Sequence, residues 1–190
     1  MAWLVEEAIE RTGVLKEGHF LLSSGRHSGK YMQCAALLQY PQDAGKAGEA
    51  IASLFKGEKI DVVVGPALGG VIIAHEVARA LNVRCLFAER KDGKMELRRG
   101  FAIQPGERVL VVEDVVTTGG SVKEVIELLL PLGAVIAGVG AIVDRTGGKN
   151  PFAYPFRALT KIHIESYEPE NCPLCQQGLP VHKPGSRTAK

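Results

Sequence analysis

A continuous apolar run that empties into two carboxylates governs what this chain can become. Residues 109–121 read VLVVEDVVTTGGS. The aliphatic stretch is too short to make a helix of its own, and without polar alternation it reads as a strand buried on both faces. Such strands belong to parallel sheets covered by helices on either side, so the run points to an α/β architecture. Thr117, Thr118, Gly119, Gly120 and Ser121 follow it and open a helix beginning near Ser121. Their backbone N–H groups and hydroxyls would face an anion at the positive end of that helix. Glu113 and Asp114 stand at the strand's carboxyl end, where a doubly wound sheet presents acceptors to two ribose hydroxyls. The pattern suits a sugar phosphate. An ordinary strand, glycine turn and helix is the alternative, but it has no need of adjacent carboxylates.

The same alternation runs through the rest of the chain. The spacing predicts an amphipathic helix over residues 2–12, with Trp3, Leu4, Ala8 and Ile9 on one face, and a helix from Asp43 to Lys56 stopped by Gly57. It predicts strands at Ile60 to Val64, Val83 to Ala88, Arg108 to Val112, Ala134 to Val143 and Ala158 to Glu165. Helices are expected at Gly70 to Leu81 and Ser121 to Leu130, whereas the polar, glycine-bearing stretch between Gly13 and Asp43 carries no assigned element. The expected fold is a doubly wound parallel sheet. Right-handed crossovers then gather the turns GPALGG (65–70), ERKDGKMELRRG (89–100), EDVVTTGGS (113–121) and DRTGG (144–148) on one rim.

With 190 residues and 46% hydrophobic content, one domain with its own core is expected, and a second full domain is not. The net charge of +2 is spread among intermingled residues, so nothing calls for a nucleic acid or an anionic membrane. No apolar stretch reaches the roughly 18 residues of a membrane span, and acids stand near the start where a signal peptide would be basic. The expectation is a cytosolic protein. Of the cysteines at 34, 85, 172 and 175, two lie in apolar segments, which suits reduced thiols. Cys172 and Cys175 form C-P-L-C, half a zinc ribbon by spacing, and His163 and His182 are the candidates to complete four ligands. That spacing matches no familiar zinc module, and a reduced pair or a site shared across a dimer is preferred to bound zinc. His75 falls in an apolar helix and is expected to be a hydrogen-bonded core histidine, Trp3 is expected to pack, and the tail from Lys183 is expected to be disordered.

The run at 109–121 resembles the phosphoribosyl pyrophosphate (PRPP) signature of the type I phosphoribosyltransferases, in which an apolar run, two acids and a T-x-G-x-[ST] loop are contiguous. The resemblance implies that Glu113, Asp114, Val115, Val116 and residues 117–121 hold PRPP. It implies that GPALGG cradles pyrophosphate through a non-proline cis peptide between Ala67 and Leu68. Between Arg84 and Arg99, six basic residues outnumber three acidic ones. A solvated hairpin is the ordinary fate of such a run. A departing pyrophosphate, however, needs cations that arrive after substrate binds, and the run is read as a mobile cationic loop.

Arg90, Lys91 and Lys94 fit the R-K-x-x-K-x-H-G catalytic loop of the orotate phosphoribosyltransferases, with Glu96 where that family has histidine. FLLSSGRHSGKY (20–31) resembles their N-terminal motif, with Ser23, Gly29 and Lys30 replacing lysine, proline and tyrosine; Gly69 likewise replaces a frequent lysine. His19 and His27 lie in or beside this motif, where one of them would approach the substrate. The resemblance implies transfer of a phosphoribosyl group from PRPP to orotate, giving orotidine 5′-monophosphate. Lys91, Arg90, Lys94 and Asp114 would be catalytic. Arg145, Thr117, Ser24, Gly25 and Arg26 would bind orotate, although an Asp144–Arg145 surface pair is the plainer reading of that dipeptide. Magnesium would ride on pyrophosphate and the ribose hydroxyls with no direct protein ligand. The resemblance further implies a homodimer whose loops enter the partner's site, and a small hood over the base built from residues 1–40 and 150–182, with the core at 41–149. A purine or uracil phosphoribosyltransferase shares the PRPP half, and a PRPP-sensing regulator without catalysis is the rival of another class.

Overall fold

Period-two alternation sends the central strands' side chains to opposite faces, and both faces are covered. Val62, Val64, Val109 and Val111 are buried with Val122, Val125, Ile126 and Leu129, whereas Val63, Leu110 and Val112 are buried with Ile51, Ile73, Ala74 and Val77. The computed structural model describes residues 3–22 and 24–184; Ser23 and the tail beyond Pro184 lie outside the described residues. The helices are α1 (Val5–Arg11), α2 (Ala35–Leu38), α3 (Pro41–Leu54), α4 (Gly69–Leu81), α5 (Gly120–Leu129) and α6 (Pro173–Gln176). The strands are β1 (Leu15–Leu21), β2 (His27–Met32), β3 (Val62–Pro66), β4 (Arg84–Lys91), β5 (Lys94–Leu97), β6 (Arg108–Val116), β7 (Val135–Asp144) and β8 (Phe156–Lys161).

The main sheet has the order β5-β4-β3-β6-β7-β8. Its strands run parallel except β5, which turns back antiparallel on β4. Asp92 (φ 51°) and Gly93 (φ 83°) make that reversal, since two successive left-handed residues form the tight turn whose twist matches a hairpin. The segment read as a loop from composition is therefore a hairpin, and the sheet is mixed at this edge. Among the five parallel strands the chain order reverses between β3 and β6. A doubly wound sheet binds its ligand outside the strand ends at such a reversal.

The unassigned stretch after Gly13 forms a separate hairpin, β1 with β2, pairing Leu15 with Met32 and Leu21 with His27. Its strands are half solvated and the pairing is interrupted between Glu17 and Phe20, which blurs any two-residue period. Two boundaries of the expected hood also change. β8 pairs in parallel with β7 from Val139–Phe156 onward, so residues 156–161 complete the main sheet. It stops at Lys161 because the following segment leaves the sheet and joins β2, where the Ser28 hydroxyl donates to the Glu165 carbonyl at 2.7 Å. At the other end, Val5, Ala8 and Ile9 of α1 enter the same core as α3 and α4.

Trp3 packs against that core as expected, and its indole N–H donates to Asp43 Oδ1 at 3.1 Å. His75 departs from expectation: it lies on the exposed face of α4, with Glu76 at 3.8 Å. Among the described residues, no helix is long and apolar enough to cross a membrane.

Candidate active site

The ends of β3 and β6 hold the loops at 65–70 and 113–121 side by side. After Pro66 the Ala67–Leu68 peptide is cis, at the position the resemblance gives, and the Ala67 N–H donates to the Ala88 carbonyl at 2.7 Å. Leu68 is 84% exposed, and Gly69 begins α4. A Cβ at Gly69 would lie 2.9 Å from both Asp114 carboxylate oxygens, and one at Gly70 would lie 2.9 Å from the Val112 carbonyl and 3.0 Å from Glu113 Oε1. Both carboxylates thus sit over the first turn of α4. The glycines there are required by close approach, and a lysine at 69 would displace Asp114.

Glu113 and Asp114 are half-buried, and each carboxylate braces the backbone N–H of the next residue. The Asp114 N–H donates to Glu113 Oε1 at 3.1 Å and the Val115 N–H to Asp114 Oδ1 at 2.8 Å. Beyond them Thr117 and Thr118 are exposed. Gly119 adopts φ 75°, and a Cβ on it would fall 2.7 Å from the Phe152 ring, so both conformation and space demand glycine. α5 starts at Gly120, one residue before the expected start, so the positive end of its dipole follows directly on the threonine loop. Residues 113–121 carry no basic side chain, so backbone dipoles and hydroxyls are what this loop offers to an anion.

β7 brings in Arg145. Asp144 pairs in register with Val116, and the Arg145 N–H donates to the Val116 carbonyl at 2.8 Å. Asp144 is buried and its Oδ1 accepts from the Thr146 N–H at 2.8 Å, so the plain Asp144–Arg145 surface pair does not form. Arg145 Nε and Thr146 Oγ1 are the buried side-chain polar atoms without a hydrogen-bond partner among the described residues. Burial pulls the Arg145 pKa below its ordinary value, and Tyr31 and Cys34 only partly oppose this. A half-buried cation with an unused donor suits an anionic ligand.

Cys34 is a site neighbour that sequence reasoning missed. It is buried, and its thiol pKa is pushed well above the usual value, first by burial and then by Asp114 and Glu113, with Arg145 opposing. All three site groups are therefore within electrostatic reach of one inert thiol. A lone cysteine in an unassigned stretch carries no signal of this.

The cationic hairpin divides its basic residues. The Arg90 guanidinium forks onto Glu124 of α5 in its own chain, with Nη2 to Oε1 at 2.7 Å, which raises its pKa. Lys91 and Lys94 face each other across the tip, exposed and with no carboxylate partner among the described residues. Glu96, in the family's histidine position, pairs in register with Glu89, which Arg99 engages at 2.9 Å.

Ser24, Gly25 and Arg26 form the turn between β1 and β2, where the Leu22 N–H donates to the Arg26 carbonyl at 2.8 Å. The Arg26 side chain is occupied: Nε donates to Ser166 Oγ at 2.9 Å, Nη2 to the Ser166 carbonyl at 2.6 Å, and Nη1 pairs with Glu168. His19 and His27 do not face the site, because both are buried beside Cys172 and Cys175. His163 and His182, the expected partners of that cysteine pair, are exposed and stand outside this cluster.

Comparison with known proteins agrees with this geometry. Residues 34–172 match the family model described as a phosphoribosyl transferase domain. The chain is 57% identical to the orotate phosphoribosyltransferase of Thermotoga maritima over 98% of this chain and 100% of the relative. It is 59% identical to the orotate phosphoribosyltransferase of Caldanaerobacter subterraneus over 96% of both. Among solved structures, the orotate phosphoribosyltransferase of Aeropyrum pernix superposes with a TM-score of 0.73 at 23% identity, covering 84% of this chain and 94% of that one. The chain therefore belongs to the phosphoribosyltransferases, within the orotate phosphoribosyltransferase family.

Proposed function

We propose that the chain transfers the 5-phosphoribosyl group of PRPP to orotate, releasing pyrophosphate and forming orotidine 5′-monophosphate. The observation that carries the choice of base is Arg145, a half-buried guanidinium with an unpartnered Nε, held against the PRPP loop by its own backbone N–H. Orotate bears a carboxylate, and a planar guanidinium binds one through two parallel hydrogen bonds. Purines and uracil lack that group.

In the reaction the C1′–oxygen bond to pyrophosphate breaks, a bond from C1′ to the base ring nitrogen forms, and the ring proton is lost. Residues 117–121 anchor the 5′-phosphate through backbone N–H groups and hydroxyls. Glu113 and Asp114 hold the ribose hydroxyls, and their charge favours the positive character that develops on the pentose. The loop at Ala67 and Leu68 receives pyrophosphate. Lys91 and Lys94, at the tip of the hairpin, stabilise the departing charge, and Arg90 braces the hairpin on α5. The half-exposed carboxylates are hard oxygen donors at a phosphate site, a chemistry compatible with magnesium carried on the substrate. When bound, magnesium would supply positive charge that offsets the charge of the departing pyrophosphate. A homodimer, with each hairpin serving its partner, and residence in the cytoplasm complete the proposal.

Turnover measured in parallel with orotate, uracil, hypoxanthine, xanthine and adenine tests the base. Activity confined to orotate is expected, and turnover of a purine would overturn the reading. Lys91→Ala should lower kcat by about 100-fold or more while leaving product affinity nearly unchanged, because the lysine acts on charge that appears only during transfer. Equal losses in both would assign Lys91 to ground-state binding instead.

A further inference from the structure

Away from the transferase site, four soft and borderline donors converge where the N- and C-terminal segments meet. His19, His27 and Cys172 are 2%, 7% and 0% exposed, and Cys175 stands at the surface beside them. One ligand atom from each lies within 4.8 Å of every other. His19 Nε2 is 3.0 Å from His27 Nδ1, 3.5 Å from Cys172 Sγ and 3.7 Å from Cys175 Sγ; Cys175 Sγ is 3.3 Å from His27 Nδ1.

Ordinary hydrogen bonding does not account for this packing. His19 Nδ1 lies 2.8 Å from the Leu179 carbonyl, an acceptor, which in the neutral imidazole selects the tautomer with the proton on Nδ1 and a lone pair on Nε2. Three polar atoms crowd that single lone pair. A backbone carbonyl on the far nitrogen is also how a metal-bound imidazole is commonly oriented. The four distances above match a metal: bonds of about 2.0 Å to nitrogen and about 2.3 Å to sulfur give tetrahedral edges of about 3.3 Å between nitrogens and about 3.5 Å between nitrogen and sulfur.

We propose that His19 Nε2, His27 Nδ1 and the thiolates of Cys172 and Cys175 bind one zinc ion in a closed tetrahedral site. Two imidazoles and two thiolates select zinc over the oxygen-preferring cations, and four protein ligands leave no open position for catalysis. Both thiols lose their protons on binding. The ion joins β1 and β2 to the segment around α6, in series with the backbone bonds His182 N to His19 O (2.8 Å) and His27 N to Tyr167 O (2.9 Å). Its two histidines flank the turn that carries Ser24, Gly25 and Arg26, so the metal anchors both ends of that turn.

The test uses the full chain expressed with zinc in the medium. Elemental analysis should find one zinc per chain, and cobalt exchanged for it should give the intense visible bands of tetrahedral coordination with thiolate-to-cobalt charge transfer. Cys172→Ser should cut retained zinc about tenfold or more, whereas Cys85→Ser should retain it. A metal-free chain with all four thiols free, a Cys172–Cys175 disulfide, or the pale spectrum of octahedral cobalt would each overturn the site. Should Cys172→Ser fail to fold, the cobalt spectrum of the unaltered chain still decides. None of these readouts requires turnover, so failure here is distinguishable from failure of the transferase reading.

Discussion

In the proposed function the choice of base turns on Arg145. Its charge is held in a half-buried place without the hydrogen bond its Nε needs, a cost that a bound carboxylate would offset. Replacing it with glutamine should raise KM for orotate by about 30-fold or more, the equivalent of about 2 kcal/mol for a lost charge-assisted pair, and leave KM for PRPP within about twofold. Arg145→Lys should fail to restore orotate binding, since one ammonium cannot form the fork. Steady-state kinetics with each substrate varied separates the outcomes, and a rise confined to PRPP would place the guanidinium on phosphate. The sequence places Glu113, Asp114, Thr117 and Arg145 on one rim because each lies in or just after the carboxyl-terminal part of a strand that the apolar runs reveal. The buried partners carry no such mark. Cys34 meets the site from a connecting stretch, and His19 meets Cys172 across 153 positions, so no local spacing announces either.

At the scale of elements, one latch joins α1 to α3. Arg11 Nη2 donates to both Asp43 oxygens at 2.8 and 2.9 Å, and Trp3 adds a third bond. The Arg11 hydrogen bond leads in holding the Asp43 carboxyl below the usual carboxylate range, and burial opposes it. A depressed carboxylate contributes stability that is present above its unfolded pKa of about 3.9 and is lost as pH falls through the lower folded value. Asp43→Asn should therefore lower stability at neutral pH by about 1–2 kcal/mol, and its disadvantage should shrink as pH falls below about 4. Urea midpoints across that range measure the gap; a constant gap would mean that shape, and not charge, holds the latch. The same scale shows what pattern reading catches. Buried strands and long helices fall within a few residues of expectation because burial on two faces leaves a dense apolar signal. The β4–β5 hairpin carries little apolar alternation among its charges, so Asp92-Gly93 is its one local backbone signal. The β1–β2 pair is half solvated and interrupted, and it left no period to find.

For the whole molecule, the reversal of chain order between β3 and β6 puts the site where it is, and the apolar runs alone were enough to expect a doubly wound sheet with its loops on one rim. They were not enough to say where the cationic hairpin acts. Arg90 is fastened to Glu124 of its own chain, while Lys91 and Lys94 extend beyond it without a partner among the described residues. With the Arg90 brace one rung from the turn, the Lys91–Lys94 pair is left exposed at the tip, where delivery of the lysines to a second copy can be tested. Mixing two inactive variants tests this directly. Lys91→Ala removes the delivered cation but leaves the carboxylates, and Asp114→Asn does the reverse. If the hairpin serves the partner's site, each mixed dimer contains one site with Asp114 and an incoming Lys91. Random exchange of subunits in an equal mixture then restores about a quarter of the unaltered activity, because half the dimers are mixed and each has one working site. If the hairpin serves its own chain, every site in the mixture lacks one group or the other, and activity stays at the level of the separate variants.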